Sequence, residues 1–385
     1  MRSVIYNLTI QLLLSFSCVA CSQGLSGQQF AYSDEGNPTD STETTQTIRL
    51  LFAGDLMQHQ AQIDAARQGD TYVYDSYFER VKDRIKEADV AVGNLEVTLG
   101  GKPYKGYPCF SAPDEYLTAI QEAGFDVLLT ANNHCLDRRK KGLERTIQLL
   151  DEKGTLHAGT YTNQEERAQQ YPLLIEKNGF RIVLLNYTYG TNGIPVNEPN
   201  IVNFIQKEVM EQDITEAHAM NPDVIIACMH WGDEYQLLPN NQQSKLANWL
   251  FAQGVDHIIG SHPHVVQPAE VRTDSVTGQK HLLVYSLGNF ISNMSKRNTD
   301  GGMMVELDLQ KDSICTLKDC RYALVWTGRP VITGKKNLIL YPADTPADEM
   351  NEASRQRMRL FLNDSRKLFE KHNKGIDEFF FQKTE

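Results

Sequence analysis

Apolar runs that stop abruptly at polar, chemistry-bearing residues recur along this chain, and no other feature constrains its fold as much. Thr47 to Ala53 ends at Gly54-Asp55, Asp89 to Val92 at Gly93-Asn94-Leu95-Glu96, and Asp126 to Thr130 at Asn132-Asn133-His134. Further on, Val224 to Ala227 delivers His230-Trp231-Gly232, Ile258-Ile259 delivers Gly260-Ser261-His262-Pro263-His264, and Leu282 to Tyr285 delivers Ser286-Leu287-Gly288-Asn289-Phe290. Nearly continuous apolar runs are how buried strands of α/β proteins read, and ligand sites in such sheets gather outside the carboxyl ends of the strands. The spacing between runs predicts helices. Tyr77, Val81, Ile85 and Ala88 recur at helical period, and further helices are expected near Tyr116 to Ala123 and from about Gly142 to Lys153. Asn178-Gly179 between two apolar runs, Leu173 to Ile175 and Ile182 to Leu185, is a type I′ hairpin signature, so the sheet is mixed.

The two ends read differently. Arg2, an apolar stretch from Val4 to Val19 and Cys18-Val19-Ala20-Cys21 make residues 1–21 a lipoprotein signal peptide, with Cys21 the lipidated residue and membrane attachment through that lipid. Cleavage before Cys18 and a plain secretion signal are the rival readings. Residues 22–46 are rich in Ser, Gln, Gly, Thr, Asp and Glu, too poor in branched apolar residues to form a core, and read as a flexible tether. The body occupies residues 47–325. In the C-terminal extension, 326–385, Met358, Phe361, Leu362, Leu368 and Phe369 form one apolar stripe of a helix expected to dock on the body.

A formal charge of −11 argues against a dominant nucleic-acid surface. Beyond the signal, Cys109, Cys135, Cys228, Cys315 and Cys320 contain no C-x-x-C pair, so neither a disulfide scaffold nor a thiolate metal site is indicated. Cys315 and Cys320 read either as a bridge or as small apolar residues. No phosphate-binding glycine loop is present, which leaves nucleotide binding without support.

Asp55, Asn94, Glu96, Asn133, His134, His230, His262 and His264 all lie within a few residues of an expected strand end. Carboxylate, amide oxygen and imidazole are ligands for Mn²⁺, Fe²⁺ or Zn²⁺. Each motif alone has a plainer reading: a lone Asp caps a turn, and His-x-His is ordinarily a packed pair. Their joint position at successive strand ends points to one shared polar site. Trp231 and Tyr235 read either as pocket lining or, for the tryptophan, as a core plug. Glu234 is placed to brace a histidine. Arg138 and Arg139, with Lys140 and Lys141, read either as a cationic approach for a polyanion or as a solvated helix start.

The motifs Gly54-Asp55-Leu56-Met57, Gly93-Asn94-Leu95-Glu96, Asn132-Asn133-His134-x-x-Asp137, His230-Trp231-Gly232-x-Glu234-Tyr235, Gly260 to Gln267 and Tyr285 to Phe290 together resemble the ordered series of CapA-type poly-γ-glutamate capsule proteins. The resemblance covers about Thr47 to Leu309. It implies a four-layer metallophosphoesterase-like sandwich, with two mixed β-sheets flanked by helices. It also implies that Asp55, Glu96, Asn133, His230, His262 and His264 hold a divalent metal. Asn94, Trp231, Glu234, Tyr235, Arg138 and Arg139 would meet substrate. His134 or His264, where not a ligand, would move a proton. Met57 departs from the pattern, because phosphoesterases generally have a His two residues after the first Asp; His59 is displaced by two positions. Two functions follow from the resemblance. One is a metal-dependent hydrolase at the cell envelope, acting on a phosphoester or an amide of an anionic polymer. The other is a non-catalytic scaffold or polymer-binding partner of capsule synthesis and export proteins.

Overall fold

The apolar runs are strands of two separate sheets that share one core, in a computed structural model that describes residues 45–381. The signal segment, Cys21 and the tether up to its last two residues lie outside those residues. Along the chain come β1 (Gln46–Leu56), β2 (Val90–Leu95), β3 (Val127–Leu129) and β4 (Leu156–Ala158), then β5 (Leu173–Lys177), β6 (Phe180–Thr188), β7 (Val224–His230), β8 (His257–Ser261), β9 (Ala269–Thr273) and β10 (Lys280–Val284). β11 (Asn289–Ile291), β12 (Gly301–Lys311), β13 (Cys315–Gly328) and β14 (Ile339–Pro342) follow. The first sheet is ordered β14-β13-β12-β1-β2-β3-β4, with β11 beside the end of β1, and the second β9-β10-β8-β7-β6-β5. Both are mixed: β1 to β4 run parallel while β12 returns antiparallel to β1, and β5 and β9 are antiparallel edges on a parallel centre.

Side-chain alternation builds the layers. Along β1, Ile48, Leu50 and Phe52 join Ile182, Leu184, Ile226 and Ile259 in the core shared by the sheets. Leu51 and Ala53 point the other way and pack with Tyr77, Ile85, Tyr116, Leu117 and Ile120 of the covering helices. Across the second sheet, Met210 and Ala217 of helix Lys207–Ala219 and Ala247 and Leu250 of helix Asn241–Ala252 complete the packing. Helices, sheet, sheet and helices are the four layers expected. Asn178 and Gly179 have φ of 50° and 80° and close the β5–β6 hairpin, as the primed turn requires.

Two expectations need adjustment. The helix through Tyr77, Val81, Ile85 and Ala88 is two short ones, Asp75–Phe78 and Lys82–Lys86. Val81, at φ −121° and ψ −18°, leaves helical geometry between them, although Tyr77, Val81 and Ile85 stay buried as the stripe predicts. After Val325 the chain continues to extend the first sheet, since β13 runs on to Gly328 and pairs with β14 from Val325↔Pro342 to Gly328↔Ile339. Helix Glu352–His372 then starts at Asn351, whose side chain accepts the Ser354 N–H at 2.8 Å, and buries Met358, Phe361, Leu362 and Phe369 in the main core. Cys315 and Cys320 are free thiols. Among the described residues, no helix is long and apolar enough to cross a membrane.

His257, in the middle sheet layer, is fully buried, and its Nδ1 accepts the Leu282 N–H at 3.0 Å. Burial pushes its pKa down to about 3, with the charge of His281 adding to the effect. The unfolded chain therefore binds a proton that the native state refuses. The stability involved is present above about pH 6.5 and is lost as the pH falls from there toward 3, at about 1.4 kcal/mol per pH unit. His257→Asn keeps an acceptor without the titration. Urea unfolding of this variant should lose less stability than wild type between pH 6.5 and 4.5; parallel pH profiles would refute the assignment.

Candidate metal centre

The carboxyl ends of β1, β2 and β3 in one sheet meet those of β7 and β8 in the other, and the polar residues that follow them close on one another. Asp55 Oδ1 accepts the Asn94 amide at 2.8 Å, and Asp55 Oδ2 lies 3.2 Å from His264 Nδ1. Asn133 Oδ1 is 2.9 Å from His230 Nε2. Glu96 Oε1 sits 3.8 Å from His230 Nε2 and 3.7 Å from His264 Nε2, while the His262 ring lies 4.8 Å from that of His230. Asp55, Asn94, Glu96, Asn133, His134, His230, His262 and His264 are all buried. Ligand atoms of Glu96, His230 and His262 come within 4.8 Å of one another, as do those of Asp55, Glu96 and His264 and those of Glu234, His262 and His264.

Burial and crowding set the charges. The Glu96 carboxyl is held well above the usual range, first by desolvation and then by the neighbouring charge of Asp55. Burial lowers His230 well below its ordinary value and His262 to about 3, and the neighbouring imidazoles add to both effects. His264 is the exception: burial works against its charged form, but the hydrogen bond and charge of Asp55 outweigh it and the pKa rises. Both neighbours of His264 Nδ1, Asp55 Oδ2 and Asn289 Oδ1 at 3.0 Å, are acceptors. Nδ1 therefore carries a proton, and Nε2 faces Glu96. Two buried polar atoms have no hydrogen-bond partner here, Glu96 Oε1 and His262 Nδ1.

The backbone is bent to deliver these rings. His262 and His264, on either side of Pro263, have φ of 101° and 57°, a region that costs non-glycine residues about 1 to 3 kcal/mol. Gly260, just upstream, leaves no room for a side chain: a Cβ there would stand 2.1 Å from the Tyr285 carbonyl oxygen and 2.5 Å from Trp231 Nε1.

Around this cluster the remaining predicted residues separate. His134 Nδ1 donates to Asp137 Oδ2 at 2.8 Å, with the Phe110 ring 4.7 Å away. Glu234 is exposed beside His262 and His264, and Tyr235 stands 6.3 Å from the His264 ring with the Lys296 ammonium 3.7 Å over its face. Trp231 is the core plug of its two readings, buried with Nε1 donating to the Tyr285 carbonyl at 2.9 Å. Arg138 gives its guanidinium to the Pro103 carbonyl at 2.9 Å, and Arg139 is exposed at the helix start. His59 turns its Nδ1 to Gln62 at 3.1 Å and to the Asn293 N–H at 3.3 Å. Sequence reasoning did not select Asn289, which orients His264, or Tyr189, whose ring lies 4.4 Å from His262. Asn289 follows a strand in the same way as the chosen residues, and Tyr189 directly follows the end of β6.

Two face-to-face sheets with a carboxylate–imidazole cluster at the strand ends define an α/β sandwich protein built around a candidate divalent-metal centre. This chain belongs to the bacterial capsule synthesis protein PGA_cap family, whose model matches residues 49–294. It is 29% identical over 283 residues to the capsule biosynthesis protein CapA of Bacillus anthracis, a match covering 70% of this chain and 66% of that one. It is also 29% identical over 288 residues to the PGA biosynthesis protein CapA of Bacillus subtilis, covering 71% of each. Solved structures with some likeness include the NAD nucleotidase NadN of Haemophilus influenzae, at TM-score 0.46 and 9% identity over 88% of this chain and 58% of that one. The calcineurin-like phosphoesterase YfkN of Bacillus subtilis gives TM-score 0.43 and 11% identity over 83% of this chain and 98% of that one. Likeness at this level adds nothing to the layers described above.

Gly260→Ala tests how tightly the strand end is held. The added methyl meets a backbone carbonyl that cannot swing aside, so we expect a loss of about 2 kcal/mol or more and a lower calorimetric melting temperature. Wild-type melting would mean that the turn has slack.

Proposed function

We propose that this protein is a metal-dependent hydrolase, held at the cell envelope by a lipid on Cys21 and acting on a phosphoester or an amide of an anionic capsule polymer. One observation carries the reading. Glu96 Oε1 is a buried carboxylate oxygen without a hydrogen-bond partner, and imidazole nitrogens of His230 and His264 face it at 3.8 and 3.7 Å. Nitrogens at that distance do not satisfy a carboxylate oxygen by hydrogen bonding, whereas a cation among them does. His262 Nδ1, the second orphan, points to the same need. The residues fit a divalent ion.

Glu96, His230, His262 and His264 would hold it, with Asn133 and Asp55 against two of the rings. Manganese, iron and zinc suit a carboxylate and imidazole set free of thiolate. When bound, such an ion lowers the pKa of a coordinated water toward about 7 and polarises the oxygen of an ester or amide. Asp137 holds the His134 proton on Nδ1, which leaves Nε2 as the atom that takes up or returns a proton at a leaving group. Lys296 over Tyr235 offers a cation at the rim, where an anionic chain would lie. The relatives' names supply the polymer, and proteins of capsule synthesis or export are the partners this reading implies.

Metal binding to the native state alone should raise the melting temperature by mass action, with about 2.7 kcal/mol gained at a hundredfold excess over Kd. Replacing His262 and His264 together by Ala should remove that gain and the hydrolysis of model phosphodiesters or γ-glutamyl peptides while the body stays folded. His134→Ala should retain the metal-induced gain and cut turnover by about 10²- to 10⁴-fold. If no divalent ion shifts wild-type melting and no substrate turns over, the hydrolase reading fails.

Cys21→Ala should move the protein from the membrane fraction to the soluble one. Unchanged fractionation without acyl label on Cys21 would remove the anchor from that residue.

A further inference from the structure

We infer that the mouth of the buried cluster is a subsite for a sugar ring, so that the phosphoester brought to it is carried on a glycan and not on a γ-glutamyl chain; this rests on the hydrolase reading above. Three tyrosines stand around the mouth, each against a different imidazole. Tyr189 lies 4.4 Å from the His262 ring, Tyr235 6.3 Å from that of His264, and Tyr107 6.4 Å from that of His134. Tyr189 is 48% exposed and Tyr107 71%, and Leu237 and Leu238, close after Tyr235 in the chain, are exposed as well. Large apolar side chains left open around a polar centre are what a ligand site keeps uncovered, since burial elsewhere in the fold would otherwise claim them.

The charges at this mouth have the wrong balance for a polycarboxylate. Glu234, exposed beside His262 and His264, hydrogen-bonds Tyr235, and its charge also reaches Tyr189. Asp233 next to it is exposed, and its charge reaches His262. Against these two carboxylates stands Lys296, with its ammonium 3.7 Å over the Tyr235 ring. The nearby arginines are committed elsewhere, Arg138 to the Pro103 carbonyl at 2.9 Å and Arg297 to Asp364 at 2.7 Å. A chain with a carboxylate on every residue would set like charges against Glu234 and Asp233, which is costly at close range. A sugar suits the same surface. Its C–H face packs on the negative face of a tyrosine ring, and its hydroxyls donate to a carboxylate such as Glu234. The phosphoester adds one charge, which Lys296 is placed to meet.

The test compares ring with open chain. Full-length protein supplied with Mn²⁺ is assayed on the methyl phosphodiesters of glucose and of glycerol, which share the reacting group, and KM for the glucose ester should be about tenfold lower. Tyr189→Ala and Tyr235→Ala should each raise that KM about 3- to 10-fold, the range for one aromatic contact, with a much smaller change in kcat; Tyr189→Phe and Tyr235→Phe should restore it. Binding is read without turnover by saturation-transfer NMR on the glucose ester, in metal-free protein. The signal should vanish when both tyrosines are replaced by Ala and should survive an equimolar γ-glutamyl pentapeptide or nucleoside 5′-phosphate. Equal KM values for the two esters, displacement by either competitor, or folded alanine variants that keep the wild-type preference would overturn the inference, and the wild-type comparison holds whether or not the variants fold. Glucose ester bound without turnover supports the inference and removes only the hydrolase. Turnover of both esters at equal KM removes only the sugar subsite, and neither binding nor turnover overturns both readings.

Discussion

A buried carboxylate ringed by imidazoles is the constraint around which this protein is organised. Among the described residues no lysine or arginine pairs with Glu96; instead His230 and His264 face it from the other sheet. Such a group is costly to bury unless its charge is met. Glu96 is driven toward its protonated form, His230 and His262 toward neutrality, and His264 toward charge beside Asp55.

The surrounding amides give this crowding a fixed geometry. Asn94 bridges toward Asp55, Asn132 donates to the Leu95 carbonyl at 2.8 Å, Asn133 is tied to Asn192 at 3.2 Å, and Asn289 donates to the Thr299 carbonyl at 2.8 Å. Asn133 and Asn289 turn their oxygens to the rings of His230 and His264, while the Asn132 oxygen accepts the His134 N–H at 3.1 Å. The strained φ values of His262 and His264 persist because this network and the packing of Trp231 beneath Gly260 hold the turn in place.

Most of the fold was legible because burial leaves a plain imprint on composition. Strands covered on both faces must be apolar throughout, so their limits and the polar residues just beyond them could be read directly, and Asn178-Gly179 announced its own turn. The eight polar residues chosen at strand ends do lie in one buried region. Orientation was less legible. Nothing in the spacing of Trp231 distinguished a pocket wall from a plug, since the indole N–H needed a carbonyl supplied by Tyr285 some fifty residues later in the chain. The break at Val81 leaves the apolar period intact and is invisible to it. Asn289 and Tyr189 act through the rings of His264 and His262, contacts between segments that no local pattern encodes. Residues after Val325 depart from the strand-and-loop grammar yet still join the sheet, because an edge strand needs only a few residues with one partner.

The position of β1 has a consequence for the order in which the chain completes itself. It is the first strand made, yet it lies inside its sheet, between β2 and an antiparallel partner that begins only at Gly301. Its last polar residue likewise waits for His264 and Asn289. A chain growing from its amino end therefore holds an unsatisfied central strand until more than three quarters of its length exists. Closing loops of that length precedes the contacts that reward it, which makes folding a late and collective event.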